Sequence, residues 1–121
     1  MSDRRPTPAP MRIDAVTLAT VDMSTSINFY EALGFEISFG GHGSSFTTMS
    51  AGVCHVNLTL TGSPGPWGRV IFHVDDVDAL HARAVAAGLS PLHPPLDADW
   101  GERMFAIADP SGHDLSFARP L

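Results

Sequence analysis

Hydrophobic and polar residues change period along this chain, and the changes divide it into short elements. Between Ile13 and Thr20, Val16 and Leu18 alternate with Ala15, Thr17 and Ala19, the period-two pattern of a strand with one dry face. Asp22 then supplies an N-cap, Ile27, Tyr30 and Leu33 recur at helical spacing, and Gly34 stands where a terminating glycine belongs, so a helix is predicted over Met23 to Leu33. Phe35 to Phe39, Phe46 to Ser50 and Val53 to Leu60 read as three further strands, separated by the loop at 40–45 and by the Ala51-Gly52 turn.

The stretch 61–68, TGSPGPWG, interrupts every periodicity, and the same order of elements then begins again. Arg69 to Val74 is an apolar run, Asp76 an N-cap, Val77 to Ala87 a helix and Gly88 its terminator. Leu89 to Leu92 should start the next strand, followed by a proline-rich loop through Asp99. Trp100 to Phe117 closes the chain as a hairpin, because Asp109, Pro110, Ser111 and Gly112 place Asp, Pro and Gly where a type I turn wants them. Asp76 follows Asp22, and Gly88 follows Gly34, at one separation of 54 residues, which indicates an internal βαβββ repeat and an α+β fold of two such modules. The expected organisation is a disordered lead-in over 1–10 and a single domain over 11–121. Within it, module one covers about 11–61, a linker about 61–68, and module two about 69–119.

Composition narrows the function. A chain of 121 residues with 44% hydrophobic content can bury one core. No apolar run approaches the length of a membrane span, and the lone cysteine, Cys54, fits a reducing compartment, so a cytoplasmic protein without a membrane partner is expected. The net charge of -6 argues against nucleic acid as a partner. All seven basic residues are arginines, and without lysine neither Schiff-base chemistry nor a Walker-type phosphate loop is available.

The stretches LATVDMSTSINFYEALGFE (18–36), FHVDDVDALHARAVAAGL (72–89) and WGERMFAIADPSGHDLSF (100–117) together resemble the vicinal oxygen chelate superfamily, which contains glyoxalase I, bleomycin resistance proteins and extradiol dioxygenases. The closing hairpin, with its WG, arginine and DPSGH, looks most like the bleomycin-resistance branch. The resemblance implies paired βαβββ modules with sheets curled round a cleft, in a homodimer. In catalytic relatives it also implies a divalent metal held from the first and last strand of each module. Carried over, those positions fall on Ala15, Asn57 or Thr59, Arg69 and Ser116. Alanine has no donor atom, arginine is a permanent cation, and neutral amides and hydroxyls are weak ligands, so no cofactor and no metal of the usual kind is expected.

Alternation predicts what lines such a cleft: His55, Asn57 and Thr59 from the fourth strand, Arg69, Ile71 and His73 from the fifth, and Asp114 and Ser116 from the last. Trp67 and Trp100 could add flat walls, and Arg103 matches an arginine of the resembling branch. These residues would suit a small aromatic or amphipathic ligand, including an antibiotic, held without metal. Each also has a plainer role. Arg69 could pair with Asp114, His73 could end its strand, the tryptophans could anchor loops, Arg103 could be an exposed strand arginine, and His42, His81, His93 and His113 are expected in solvent. The alternative function is a lyase, isomerase or dioxygenase-type enzyme, with His73 as general base beside Arg69, or with an unconventional metal site at His55, His73 and Asp114. Cys54 should face the core, away from His55, which argues against a nucleophile-base pair.

Overall fold

The computed structural model describes residues 9–10, 12–62, 65 and 69–121. Among the described residues ten elements follow one another: β1 (Ala15–Thr20), α1 (Met23–Ala32), β2 (Glu36–Phe39), β3 (Phe46–Ala51), β4 (Cys54–Leu60), β5 (Arg69–His73), α2 (Val77–Ala86), β6 (Leu96–Ala98), β7 (Glu102–Ala108) and β8 (Asp114–Pro120). They form two four-stranded sheets with the same connectivity, β1-β4-β3-β2 and β5-β8-β7-β6, in which the first and last strands of each module pair in parallel.

The repeat is carried by local chemistry. The side chains of Asp22 and Asp76 accept hydrogen bonds from the Thr25 and Ala79 amides at 3.1 and 2.9 Å, capping the two helices. The hydrogen bonds from Thr25 hold the Asp22 carboxyl below its ordinary range. Both helices end at a glycine of positive φ, Gly34 at 98° and Gly88 at 85°, and the amides that follow, Phe35 and Leu89, reach back to Tyr30 and Ala84. Gly40 is needed for a different reason: at φ 77° it lies so close to β3 that a Cβ would meet the Phe46 carbonyl oxygen at 2.3 Å.

One element departs from the sequence reading. Residues 89–92 are not a strand, and β6 begins only at Leu96. Pro91, Pro94 and Pro95 offer no amide to a ladder, and of this stretch the Leu92 amide alone bonds β7, to the Ala106 carbonyl at 2.8 Å. The hairpin forms as expected: the Gly112 amide closes onto the Asp109 carbonyl at 2.9 Å, and the Asp109 carboxylate accepts from the Ser111 amide. Residues 1–8 and 11 of the expected lead-in, and 63, 64 and 66–68 of the expected linker, lie outside the described residues.

A single apolar cluster draws on both modules. Leu18, Ile27, Tyr30, Met49, Val56 and Leu58 from the first meet Val77, Ala84, Phe105, Leu115 and Phe117 from the second. The modules thus pack through the faces that carry their helices. Polar contacts also cross the junction: Tyr30 Oη donates to Asp109 Oδ2 at 2.8 Å, His113 Nε2 lies 2.9 Å from the Ala19 carbonyl, and Arg83 Nε donates to the Ala32 carbonyl at 3.1 Å. His113 is therefore buried rather than solvated, and His81 stacks edge-on against Phe105. Because side chains alternate along a strand, the opposite face of each sheet points away from this shared core.

Candidate functional site

The outward face of the second sheet carries a groove of about 360 Å³. Its polar floor comes from the parallel pair β5 and β8, where Arg69 stands opposite Asp114 and Ile71 opposite Ser116. Ser116 is 1% exposed, and its Oγ accepts from Arg69 Nε at 2.9 Å. Arg69 does not pair with Asp114. The apolar wall comes from Leu92, Leu96, Trp100, Met104 and Ala106, with His93 at the edge instead of free in solvent. Ala98, Met104 and Ala118 form a small buried cluster on this face, so the wall has its own packing beneath it.

Beyond the groove on the same face, Glu102 joins two residues. Its carboxylate accepts from Trp100 Nε1 at 2.9 Å and lies 3.4 Å from His73 Nε2. Trp100, 65% exposed, is thus held at its polar edge while its ring remains available. Glu102 had no signal in the sequence beyond its alternation with Arg103.

The outward face of the first sheet is a hydrogen-bonded polar surface. Thr48 Oγ1 donates to Asn57 Oδ1 at 2.7 Å, and Asn57 Nδ2 donates to Thr17 Oγ1 at 3.3 Å. His55 Nδ1 lies 2.7 Å from Ser50 Oγ, which is itself 2.7 Å from Ser38 Oγ. Thr59 stands opposite Phe46, and Phe39 and Phe46 meet edge-on with centroids 6.4 Å apart. His55, Asn57 and Thr59 therefore share one face, and Arg69, Ile71, His73, Asp114 and Ser116 share the other, but the two faces belong to different sheets.

Two expectations are corrected here. Arg103 does not reach the groove: it projects to the helix side, where Nε and Nη2 grip the two oxygens of Asp78 at 2.8 and 2.7 Å, and Nη1 reaches Asp97 at 3.0 Å. This fork lowers the Asp78 carboxyl from its ordinary range and ties α2 to β6 and β7. His55, His73 and Asp114 do not converge, since among the described residues no three His, Cys, Asp or Glu side chains are grouped to hold a metal. Cys54 is half-buried. Trp67 lies outside the described residues.

The donor chemistry does not fit a divalent metal at the positions implied by the resemblance. Ala15 and Arg69 begin the equivalent strands β1 and β5, so one offers no ligand and the other places a guanidinium where a cation would sit.

Two βαβββ modules, packed through their helix-bearing faces and each presenting an outward sheet face, define a protein of the paired-module class. A family model of the Glyoxalase/Bleomycin resistance protein/Dioxygenase superfamily matches residues 12–117, and the chain belongs to that superfamily. An uncharacterised protein of Mycolicibacterium smegmatis is 34% identical over 112 residues, covering 90% of this chain and 94% of its own length. Other curated mycobacterial relatives are longer, and the chain spans 39–44% of their length. Among solved structures, TioX of Micromonospora sp. ML1 is similar with a TM-score of 0.75 and 27% identity, covering 88% of this chain and 97% of TioX. A bleomycin-binding protein crystallised with bleomycin shares the fold with a TM-score of 0.77 at 22% identity, over 93% of this chain and all of that one. Among the described residues, no helix is long and apolar enough to cross a membrane.

Proposed function

We propose that this chain is a metal-free binding protein of the bleomycin-resistance kind, which takes an aromatic or amphipathic small molecule against the outward face of its second module. The observation that carries this reading is the groove itself, where the Ser116-held arginine faces an apolar wall of Trp100, Met104 and Leu96. The bleomycin-binding structural neighbour, which shares the fold, supports small-molecule binding, and the 360 Å³ groove would be one wall of the site. The second wall would be the polar face of the first module from another copy in a homodimer. Phe39 at 64%, Ile71 at 51% and Trp100 at 65% exposure are large apolar groups on these faces that such a closure would cover.

The reading is tested by thermal denaturation against glycopeptide antibiotics and aromatic natural products. A true ligand present at about a hundred times its dissociation constant should stabilise the protein by about 2.7 kcal/mol. Trp100→Ala should abolish that shift without altering the unliganded melting temperature by more than a degree or two. Stoichiometric zinc, nickel, manganese or iron in the purified protein would overturn the metal-free reading. A monomer by sedimentation that still binds ligand would overturn the dimeric cleft.

A second reading rests on the His73–Glu102 contact, an imidazole beside a carboxylate on the groove face. In a lyase or isomerase, His73 would be the general base, and Arg69 would stabilise the developing oxyanion. Turnover that falls by about a hundredfold in His73→Gln, yet persists in the His42→Gln variant, would favour this reading over simple binding.

A further inference from the structure

The geometry points to an anionic ligand for this groove, a carboxylate joined to an aromatic or branched apolar body; the inference rests on the binding reading above and assigns its ligand class. Three observations carry it. First, Arg69 is held by one edge only: Nε donates to buried Ser116 Oγ, and among the described residues its two terminal nitrogens have no protein acceptor. Second, the nearest acidic side chain in register, Asp114, makes no ion pair with it, although the two stand opposite each other on β5 and β8. A guanidinium anchored through Nε leaves its outer N–H groups in the planar fork that matches a carboxylate. Third, the wall facing that fork is apolar, formed by Leu92, Leu96, Trp100, Met104 and Ala106, so a charged head at Arg69 leaves the rest of the ligand on dry surface.

The net charge of the whole chain, -6, would by itself favour cations, but long-range fields are screened over about 8 to 10 Å at ordinary salt. The local fork therefore outweighs the overall balance. Asp114 lines the same groove and opposes an anion, so it is expected to weaken binding of the carboxylate it faces.

The test compares three probes of one shape, naphthoate, naphthamide and naphthylmethylamine, by isothermal titration of the full chain. Naphthoate should bind at least ten times more tightly than the amide. In Arg69→Met that preference should vanish, with naphthoate affinity falling about ten- to hundredfold, while Arg69→Lys keeps part of it. Asp114→Asn should tighten naphthoate and leave the amide unchanged. Circular dichroism of each variant confirms folding, and the wild-type ranking decides the matter even if a variant does not fold. Equal affinities, or tightest binding of the amine, would overturn the anionic assignment and leave the binding reading standing. Failure of all three probes, where another compound of the antibiotic and natural-product panel binds, overturns the assignment alone. Failure of every compound overturns both.

Discussion

Asp109→Ala is expected to destabilise the protein by about 3–5 kcal/mol, as much as a deep core truncation, although it removes only a carboxylate from a turn. Asp109 is 5% exposed, and its two oxygens serve three donors. Oδ2 accepts from Tyr30 Oη at 2.8 Å, and Oδ1 accepts from the Ser111 and His113 amides at 2.9 Å each. Alanine would leave a buried hydroxyl and two loop amides without partners, and a buried donor so stranded costs about 1–3 kcal/mol. Asp109→Asn keeps an oxygen for the loop amides and should cost less. Tyr30→Phe should cost about 1–1.5 kcal/mol in the wild type and much less in the Asp109→Ala background, where the hydroxyl has already lost its acceptor. Urea denaturation of the wild type and the four variants measures this. A cost below about 1 kcal/mol for Asp109→Ala would mean that the junction is not held here.

The same pair gives a spectroscopic signature. Tyr30 is the only tyrosine in the chain, and burial, followed by the charge of Asp109 and the hydrogen bond to it, raises its phenol far above the ordinary value of 10.0. The raised group contributes stability in full below the unfolded-state pKa near 10.0, and that contribution is lost as the pH climbs above it. Tyrosinate absorbance should therefore be absent from the native protein above pH 10 and appear only as the chain unfolds. A smooth titration centred near 10.0 in the folded protein would contradict the burial.

The second large effect is Phe117→Ala, expected to cost about 3–5 kcal/mol in chemical denaturation, against about 1–1.5 kcal/mol for Phe117→Leu. Phe117 is 1% exposed and stacks between Phe72 and Phe105, with ring centroids 5.2 and 5.4 Å away. Phe35 of the first module meets Phe72 edge-on at 5.6 Å, so this aromatic column joins the modules. Phe117 also follows Ser116 on β8, the strand that carries the floor of the groove, and a cavity beneath it should loosen the site as well as the fold. Phe46→Ala, on the outward face at 38% exposure, is the control and should change the stability of the isolated chain by no more than about 0.5 kcal/mol.

Much of the fold was legible in the sequence because its signals are local. A cap and a terminating glycine act within a few residues, and Asp109-Pro110-Ser111-Gly112 encodes its turn without help from the rest of the chain. Leu89–Leu92 is no strand for an equally local reason: three prolines between 91 and 95 delay sheet pairing to Leu96. For the candidate site, alternation put His55, Asn57 and Thr59 together with Arg69, Asp114 and Ser116 as the lining of one cleft, whereas the fold sets the two groups on the outward faces of different sheets. Alternation could not show that Arg103 turns to Asp78, that Glu102 links Trp100 to His73, or that His113 is buried at the junction.

The sequence alone determined the repeat, the helix boundaries and the inward or outward sense of most strand positions, since each depends on neighbours within one or two turns of chain. Only the tertiary structure decided which outward positions meet. The Tyr30–Asp109 bond and the Phe35–Phe72 contact lock the modules together through their helix-bearing faces, sequence separations of 79 and 37 residues that no local pattern reports. That packing turns the two sheet faces away from the shared core, so His55 and His73 never converge in one chain. Arg69 is left beside an apolar wall, with its fork open to a ligand.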